Sequence, residues 1–596
     1  MRNVLFYLLT ILLANVFGYS QTTVTFTVED LPQITNQKVG IRGNIPPLDW
    51  SKSIVLKKEG KAYTIDINFP ASEKELEFKF VLFNNDKKPT WENTQNRTLT
   101  LEGDQANQIS HHKWNREQII DISTLGKIDI QGLKKDFEFI KTMVLNVHPG
   151  TYRYNSKDQI LSALEELKDK FSSPITYQEA YLAISKLTAQ LKCDHTKPGF
   201  NNQGKVINSI IHYQADKVPF TFRWVGEEMV ILQNASKNEL LQRGTKVLSI
   251  NQVPVTEIRN EILKYIGADG ATDKNRIYKT QVNGYDFRYN AFDIFYPLLY
   301  PLTNQKISLE IQQPNQEDVK SVLVSTLTRE GRFKILTEHY ETFPKSRDDM
   351  WSFKVLSDNV AILTLNSFGL NGWKAMTIDY KTFLANAFKQ IDKQKIDHLI
   401  IDIRENTGGN DEMAEELFNY LANDNYNFER EGRTRYVNFP ESLKPHIRTW
   451  GDSPWYFNLE PENKKPINGY YVFKENFSSG RKKSNKKVFK GKSYLLTSAA
   501  NTSLAFYTAY RFKYQNIGMV IGQETGGNLN DINGGQIVFL TLPNSGIEID
   551  FPVMGGFSTE KQPDTGVIPN IETEYKIQDI IDQTDIEVKE VMRLIN

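Results

Sequence analysis

Three stretches of the chain place a nucleophile, a base or freely turning backbone where chemistry could be done. In the first, Tyr494-Leu495-Leu496-Thr497 reads as a buried strand, and Ser498-Ala499-Ala500-Asn501-Thr502 as a small-residue loop delivering Ser503 to the mouth of a helix. A hydroxyl there is exposed, and the helix dipole favours a developing oxyanion beside it. The same position suits an ordinary N-cap, and this stretch alone does not decide between the two. The second stretch is an apolar strand, Leu399 to Ile403, followed by Arg404-Glu405-Asn406-Thr407-Gly408-Gly409-Asn410 and another helix. Paired glycines allow unusual dihedrals and can turn free N–H groups toward negative charge. Neither a Walker lysine nor G-x-G-x-x-G accompanies them, which disfavours a phosphate cradle. The third stretch is Leu191-Lys192-Cys193-Asp194-His195-Thr196. An imidazole titrates near the pH a general base needs, and of the eight histidines only His195 stands in a motif. Cys193, the only cysteine, stands beside Asp194 and His195. Adjacent residues rarely aim at each other, so it reads as a packing residue. His398, just before the Leu399 strand, reads as a strand-end residue.

The elements that must hold these stretches change character along the chain. From Thr22 to Trp114, short runs such as Val24–Val28, Lys38–Ile41, Tyr63–Ile67 and Leu76–Leu82 alternate with turn signals and predict a small β-sandwich. Leu133, Phe137, Ile140, Val144 and Val147 then recur at helical spacing, and Ile160, Leu164, Leu167 and Phe171 mark a second helix. The capping box Thr176-Tyr177-Gln178-Glu179 announces a third, so a small helical bundle carrying His195 is expected over 115–204. Residues 205–345 return to β character, with an insertion from about Ile266 to Leu299. From Trp351 onward strands and helices alternate, which predicts an α/β domain over 346–596, with a long insertion at 422–491 suited to a lid.

Length and composition bound the answer. At 596 residues the chain exceeds one core, and a prior of ~150 residues per domain implies about four. The 72 basic and 72 acidic side chains cancel, so no net field draws it to nucleic acid or an anionic membrane. The short basic run Arg481 to Lys487 lacks interleaved aromatics and reads as a solvated loop. Arg2, the apolar stretch Val4 to Phe17, and Gly18 and Ser20 form an export signal over 1–20, with cleavage before Gln21. No later segment is apolar enough to span a membrane, and one cysteine allows no internal disulfide, so a periplasmic or extracellular protein is expected.

Read together, Asp402-x-Arg404-x-Asn406-x-Gly408-Gly409, then the loop and helix at Ser503, then Val520-Ile521-Gly522-Gln523-Glu524-Thr525-Gly526-Gly527 resemble the tail-specific (C-terminal processing) and tricorn-core serine peptidases. Cys193-Asp194-His195-Thr196 resembles that family's "D-G-H-T" segment, and Leu241 to Asn251 the middle of a PDZ-like domain. The resemblance covers about Gly126 to Asn596 and implies a multidomain α+β protein: N-terminal β-sandwich, helical bundle, PDZ-like β domain over 205–345 and a crotonase-like ββα catalytic domain. It implies that Ser503 is the nucleophile and that the N–H groups of Leu504, Gly408 and Gly409 form the oxyanion hole. One branch of the family activates serine with lysine in "T-x-G-K-G". Here Asn528 follows Thr525-Gly526-Gly527, so the base implied is His195, as in the tricorn-like branch. Tricorn-like sites add a serine beside the histidine and a glutamate near the C-terminus; here Asp194, Glu560 and Asp564 are the candidates, and the choice stays open.

Within residues 21–114, Gly43-Asn44-Ile45-Pro46-Pro47-Leu48-Asp49-Trp50, Glu77-Phe78-Lys79-Phe80 and Trp91 to Arg97 resemble a starch-binding (family 20 carbohydrate-binding) module. The resemblance implies α-glucan held by Trp50, Trp91, Lys79 and Asn96, because a sugar offers apolar C–H faces ringed by hydroxyls. The alternative is a docking or spacer scaffold. The function expected is an exported serine endopeptidase acting on protein or peptide, without metal or organic cofactor, since no H-E-x-x-H or clustered Cys/His spacing appears. A non-catalytic ligand- or glycan-binding protein is the runner-up. A polysaccharide-cleaving enzyme comes third, since it would need two carboxylates across the scissile bond.

Overall fold

Alternation of Val24, Phe26 and Val28 with threonines sends every second side chain of strand Gln21–Glu29 into an apolar interior, where all three are fully buried. This strand pairs antiparallel with Ala62–Pro70 and parallel with Asn107–Lys113. A second sheet is built on Lys38–Gly43 and Glu75–Asn84, and Phe78 and Phe80 share one core with Phe26 and Phe69. The computed structural model describes residues 21–31, 37–70, 75–84, 87–92, 96–101, 107–114, 119–285, 290–341, 347–369, 378–422, 430–449, 455–463, 465–473 and 487–596. The export signal and, apart from Lys487, the basic run lie outside them. The chain divides into two compact units, 1–120 and 121–596.

In the second unit, helices Ile130–Thr142, Lys157–Lys170 and Tyr177–Gln190 form where the apolar spacing predicts, and Thr176 and Glu179 close the expected capping box. Their apolar faces do not close on each other alone. Ile140, Leu164 and Ile184 join one core with Phe220, Ile231 and Leu309 of a sheet ordered Phe220–Val225, Glu228–Asn234, Lys246–Ile250, Lys306–Gln312, Val319–Ser325, and with Ile549 and Phe551. A helix with one apolar stripe needs a second layer, and here the sheet supplies it.

The other large sheet runs Trp351–Ser357, Val360–Leu365, His398–Asp402, Lys492–Thr497, Met519–Gly522, Ile571–Glu572, parallel after the first pair. Alternate residues serve opposite faces. Leu399, Ile401 and Leu495 pack under helices Tyr380–Gln394, Asp411–Leu421 and Ser503–Tyr514, while Ile400, Tyr494 and Leu496 meet Ile586–Ile595. Burial on both faces explains why these strands read as unbroken apolar runs. The described parts of the insertion expected at 422–491 include two short strands. Arg430–Thr434 and Tyr471–Phe473 pair into a sheet with Glu548–Ser558, which also pairs with Lys197–Pro198 just after His195.

Candidate active site

Strands His398–Asp402 and Lys492–Thr497 are parallel neighbours with Asp402 opposite Leu496, so the loops leaving their C-terminal ends must meet. Asn501 fastens one to the other, donating from Nδ2 to the carbonyls of Ile403 (2.6 Å) and Asn406 (2.9 Å). Thr502 adds a bond to Thr407 O. Ser503 opens the helix with φ +49°, a left-handed conformation that an ordinary helix start does not require. Gly408, at φ +112°, lies directly against it: a β-carbon there would stand 2.8 Å from Ser503 Cβ and 3.0 Å from Leu504 N. The Gly408 N–H donates to Asn406 Oδ1 at 2.8 Å. The N–H groups of Gly409 and Leu504 make no hydrogen bond among the described residues.

Ser503, Leu504, Gly408, Gly409, Asp194 and His195 all line one cavity of about 1720 Å³. Half-buried His195 differs from the fully buried histidines of this unit. His148 bonds Thr196 Oγ1 through Nε2 and accepts the Gly150 N–H at Nδ1, and His212 bonds Phe200 O. His195 Nδ1 is buried without a partner among the described residues, and its ring rests where a Gly534 β-carbon would stand, 2.7 Å from Cε1. Burial pulls the imidazole down to about 4 against the opposing pull of Asp194, and Lys197 and Lys279 lower it further. His195 is therefore neutral at neutral pH. Burial pushes the Cys193 thiol up to about 12, which keeps it protonated.

The candidate acids separate. Glu560 is exposed, and Asp564 Oδ1 accepts from Asn528 Nδ2 (2.7 Å) and Ala271 N (3.1 Å). Both line a different pocket, with Arg153 and Tyr154. Asp194 stays beside His195. Burial would raise its carboxyl, but Lys279, Lys197 and His195 together hold it well below the usual range. The two cavity lysines, Lys197 and Lys279, both lie on Asp194. Asn528, where the lysine branch would place its base, spends its amide on Asp269 O and Asp564.

In the first unit Trp50 and Trp91 bring their rings to 6.2 Å at a 45° tilt, and Trp91 is 36% exposed. Lys79 is half-buried opposite Arg42 in the strand register, and Asn96 Nδ2 reaches Glu77 Oε2 at 3.3 Å. Arg42 joins the two aromatics: it donates to Trp50 O at 2.9 Å and lies 5.2 Å from the Trp91 ring centre.

Residues 359–573 match the model of peptidase family S41, and residues 21–110 that of the starch binding domain. Residues 359–573 are an S41 peptidase domain. The chain is a serine-type peptidase with an N-terminal starch-binding-type module. Mature CPAF complexed with lactacystin is 13% identical, with a TM-score of 0.52 over 78% of this chain and 98% of that one, and shares the fold. The photosystem II D1 C-terminal processing protease is 12% identical (TM-score 0.35, 74% of this chain, 93% of that one). A family 15 glucoamylase from Hypocrea jecorina is 20% identical (TM-score 0.15, 16% and 18%). No curated protein matches the chain in sequence. Among the described residues, no cluster of His, Cys, Asp or Glu is arranged to hold a metal, and no helix is long and apolar enough to cross a membrane.

Around the S41 domain, several residues that shape the site have no motif of their own. Asn501 staples its two loops, Gly534 seats the His195 ring, and Lys279 holds Asp194. Their partners lie on distant elements, so a signal for them exists only in the folded chain.

Proposed function

We propose that this S41 peptidase is an exported endopeptidase in which Ser503 attacks the scissile carbonyl and His195 takes its proton. The proton then passes to the leaving amine, and water resolves the acyl-enzyme by the same steps in reverse. The N–H groups of Leu504 and Gly409 receive the oxyanion, with Gly408 fixed by Asn406 so that the turn stays open beside Ser503. Asp194 is the carboxylate that acts on His195. The observation carrying this reading is the left-handed Ser503, set against a glycine turn that tolerates no side chain. An N-cap alone gives no reason for either. Export rests on the apolar N-terminal stretch Val4 to Phe17, and Trp50, Trp91, Lys79 and Asn96 are proposed to hold α-glucan. The test is digestion of an unfolded protein by the wild type, Ser503→Ala and His195→Ala, with sequencing of the fragments. Internal cleavage lost in both variants supports the assignment; cleavage by Ser503→Ala overturns it.

A further inference from the structure

Ser503 and His195 stand on different elements, far apart in sequence, so something must fix the distance between them. The segment from Ile266 through helix Asp273–Lys279 touches both sides. Toward the histidine turn, Asp269 Oδ1 accepts the Asp194 N–H at 3.1 Å, the Gly270 N–H donates to Lys192 O at 3.2 Å, and Lys279 Nζ bonds the Asp194 carboxylate and Gly267 O. Toward the serine loop, the buried Asn275 donates from Nδ2 to Ala499 O at 2.7 Å, and Thr272 Oγ1 donates to Gly526 O at 3.1 Å. Gly526 N in turn donates to Asn501 O, the residue that staples the nucleophile loop. Buried polar side chains spent on carbonyls of another segment fix position, because breaking such a bond strands a buried polar group.

We propose that residues 266–279 are a positioning strap for catalysis, with Asn275 and Lys279 as positioning residues acting through Ala499 and Asp194. The proposal rests on His195 as the base. The two residues act differently. Asn275 reaches only backbone of the serine loop, so it sets geometry. Lys279 reaches the one carboxylate that acts on His195, so it sets geometry and charge. The charged groups facing His195 are Asp194, Lys197 and Lys279, with Asp269 behind Asp194. Lys279 and Lys197 lower the imidazole and Asp194 raises it, so removing the Lys279 charge raises it.

The test uses the full-length enzyme and a peptide substrate, with Asn275→Ala, Lys279→Met, Lys279→Gln, Lys279→Arg and His195→Ala, each checked for an unchanged melting transition. We expect kcat to fall roughly 100-fold in Asn275→Ala and Lys279→Met with KM unchanged, the cost of a small misplacement of reacting groups. The acid limb of kcat/KM should move to higher pH in Lys279→Met and Lys279→Gln, stay in place in Asn275→Ala, and return toward the wild-type position in Lys279→Arg. Folded Asn275→Ala and Lys279→Met enzymes with wild-type kcat and an unmoved acid limb, alongside an inactive His195→Ala, would overturn the strap alone. Wild-type activity in His195→Ala would instead overturn the choice of base, and the strap with it.

Discussion

Ser503 at φ +49° and Gly408 at φ +112° are two halves of one constraint, since each occupies space or conformation that the other requires. Gly408→Ala puts a methyl 3.2 Å from Ser503 Oγ and forces an L-residue into a region that costs it about 1–3 kcal/mol. We expect this variant to melt earlier and to lose peptidase activity more completely than its stability loss explains, which parallel melting and turnover assays check. The neutral His195 has a sign that can be measured. A base must be unprotonated, so activity is present above its pKa and disappears as pH falls through it. With His195 pulled down to about 4, kcat/KM should hold through pH 6 and fall near pH 4, where an unperturbed imidazole would already fail near ~6.5. An acid limb near 6.5 would show that His195 is not held as described. Glu560→Gln should leave that limb unmoved, because Glu560 lies in the other pocket.

At the scale of elements, the parallel strands and the turns after them were legible because each is local. His398–Asp402 and the helix at Ser503 fall within a residue or so of their expected places, and the Thr176–Glu179 box marks a helix start through contacts three residues apart. What stayed hidden depends on distant partners. Residues 266–299 read as an insertion blurring a β domain, yet helix Asp273–Lys279 reaches Ala499 and Asp194, and nothing in its own composition announces that. In the insertion at 422–491, Arg430–Thr434 and Tyr471–Phe473 are short strands whose pairing with each other, and of the first with Glu548–Ser558, no local pattern reveals. Asp564 was plausible by its place near the C-terminus, but Asn528 and Ala271 claim its carboxylate. Gly534 tests how tightly the elements seat the base. An alanine there meets the His195 ring at 2.7 Å, and kcat should fall on the order of 100-fold with KM little changed.

For the whole molecule, two compact units let glucan retention and peptide hydrolysis be tested apart. Replacing Trp50 and Trp91 together by alanine should abolish retention on immobilised α-glucan while leaving hydrolysis of a soluble peptide unchanged; Arg42→Ala should weaken retention through its hold on the Trp50 carbonyl and the Trp91 ring. Retention that survives loss of both tryptophans would make the first unit a spacer. In the second unit, mass-spectrometric localisation of a fluorophosphonate adduct on the intact folded protein separates a nucleophilic Ser503 from a helix cap. An activated serine forms the adduct and an N-cap serine does not. We predict a single adduct on Ser503, absent from Ser503→Ala and formed far more slowly in His195→Ala. A folded protein that takes no adduct, or takes it on another residue, would mean that Ser503 is not the nucleophile.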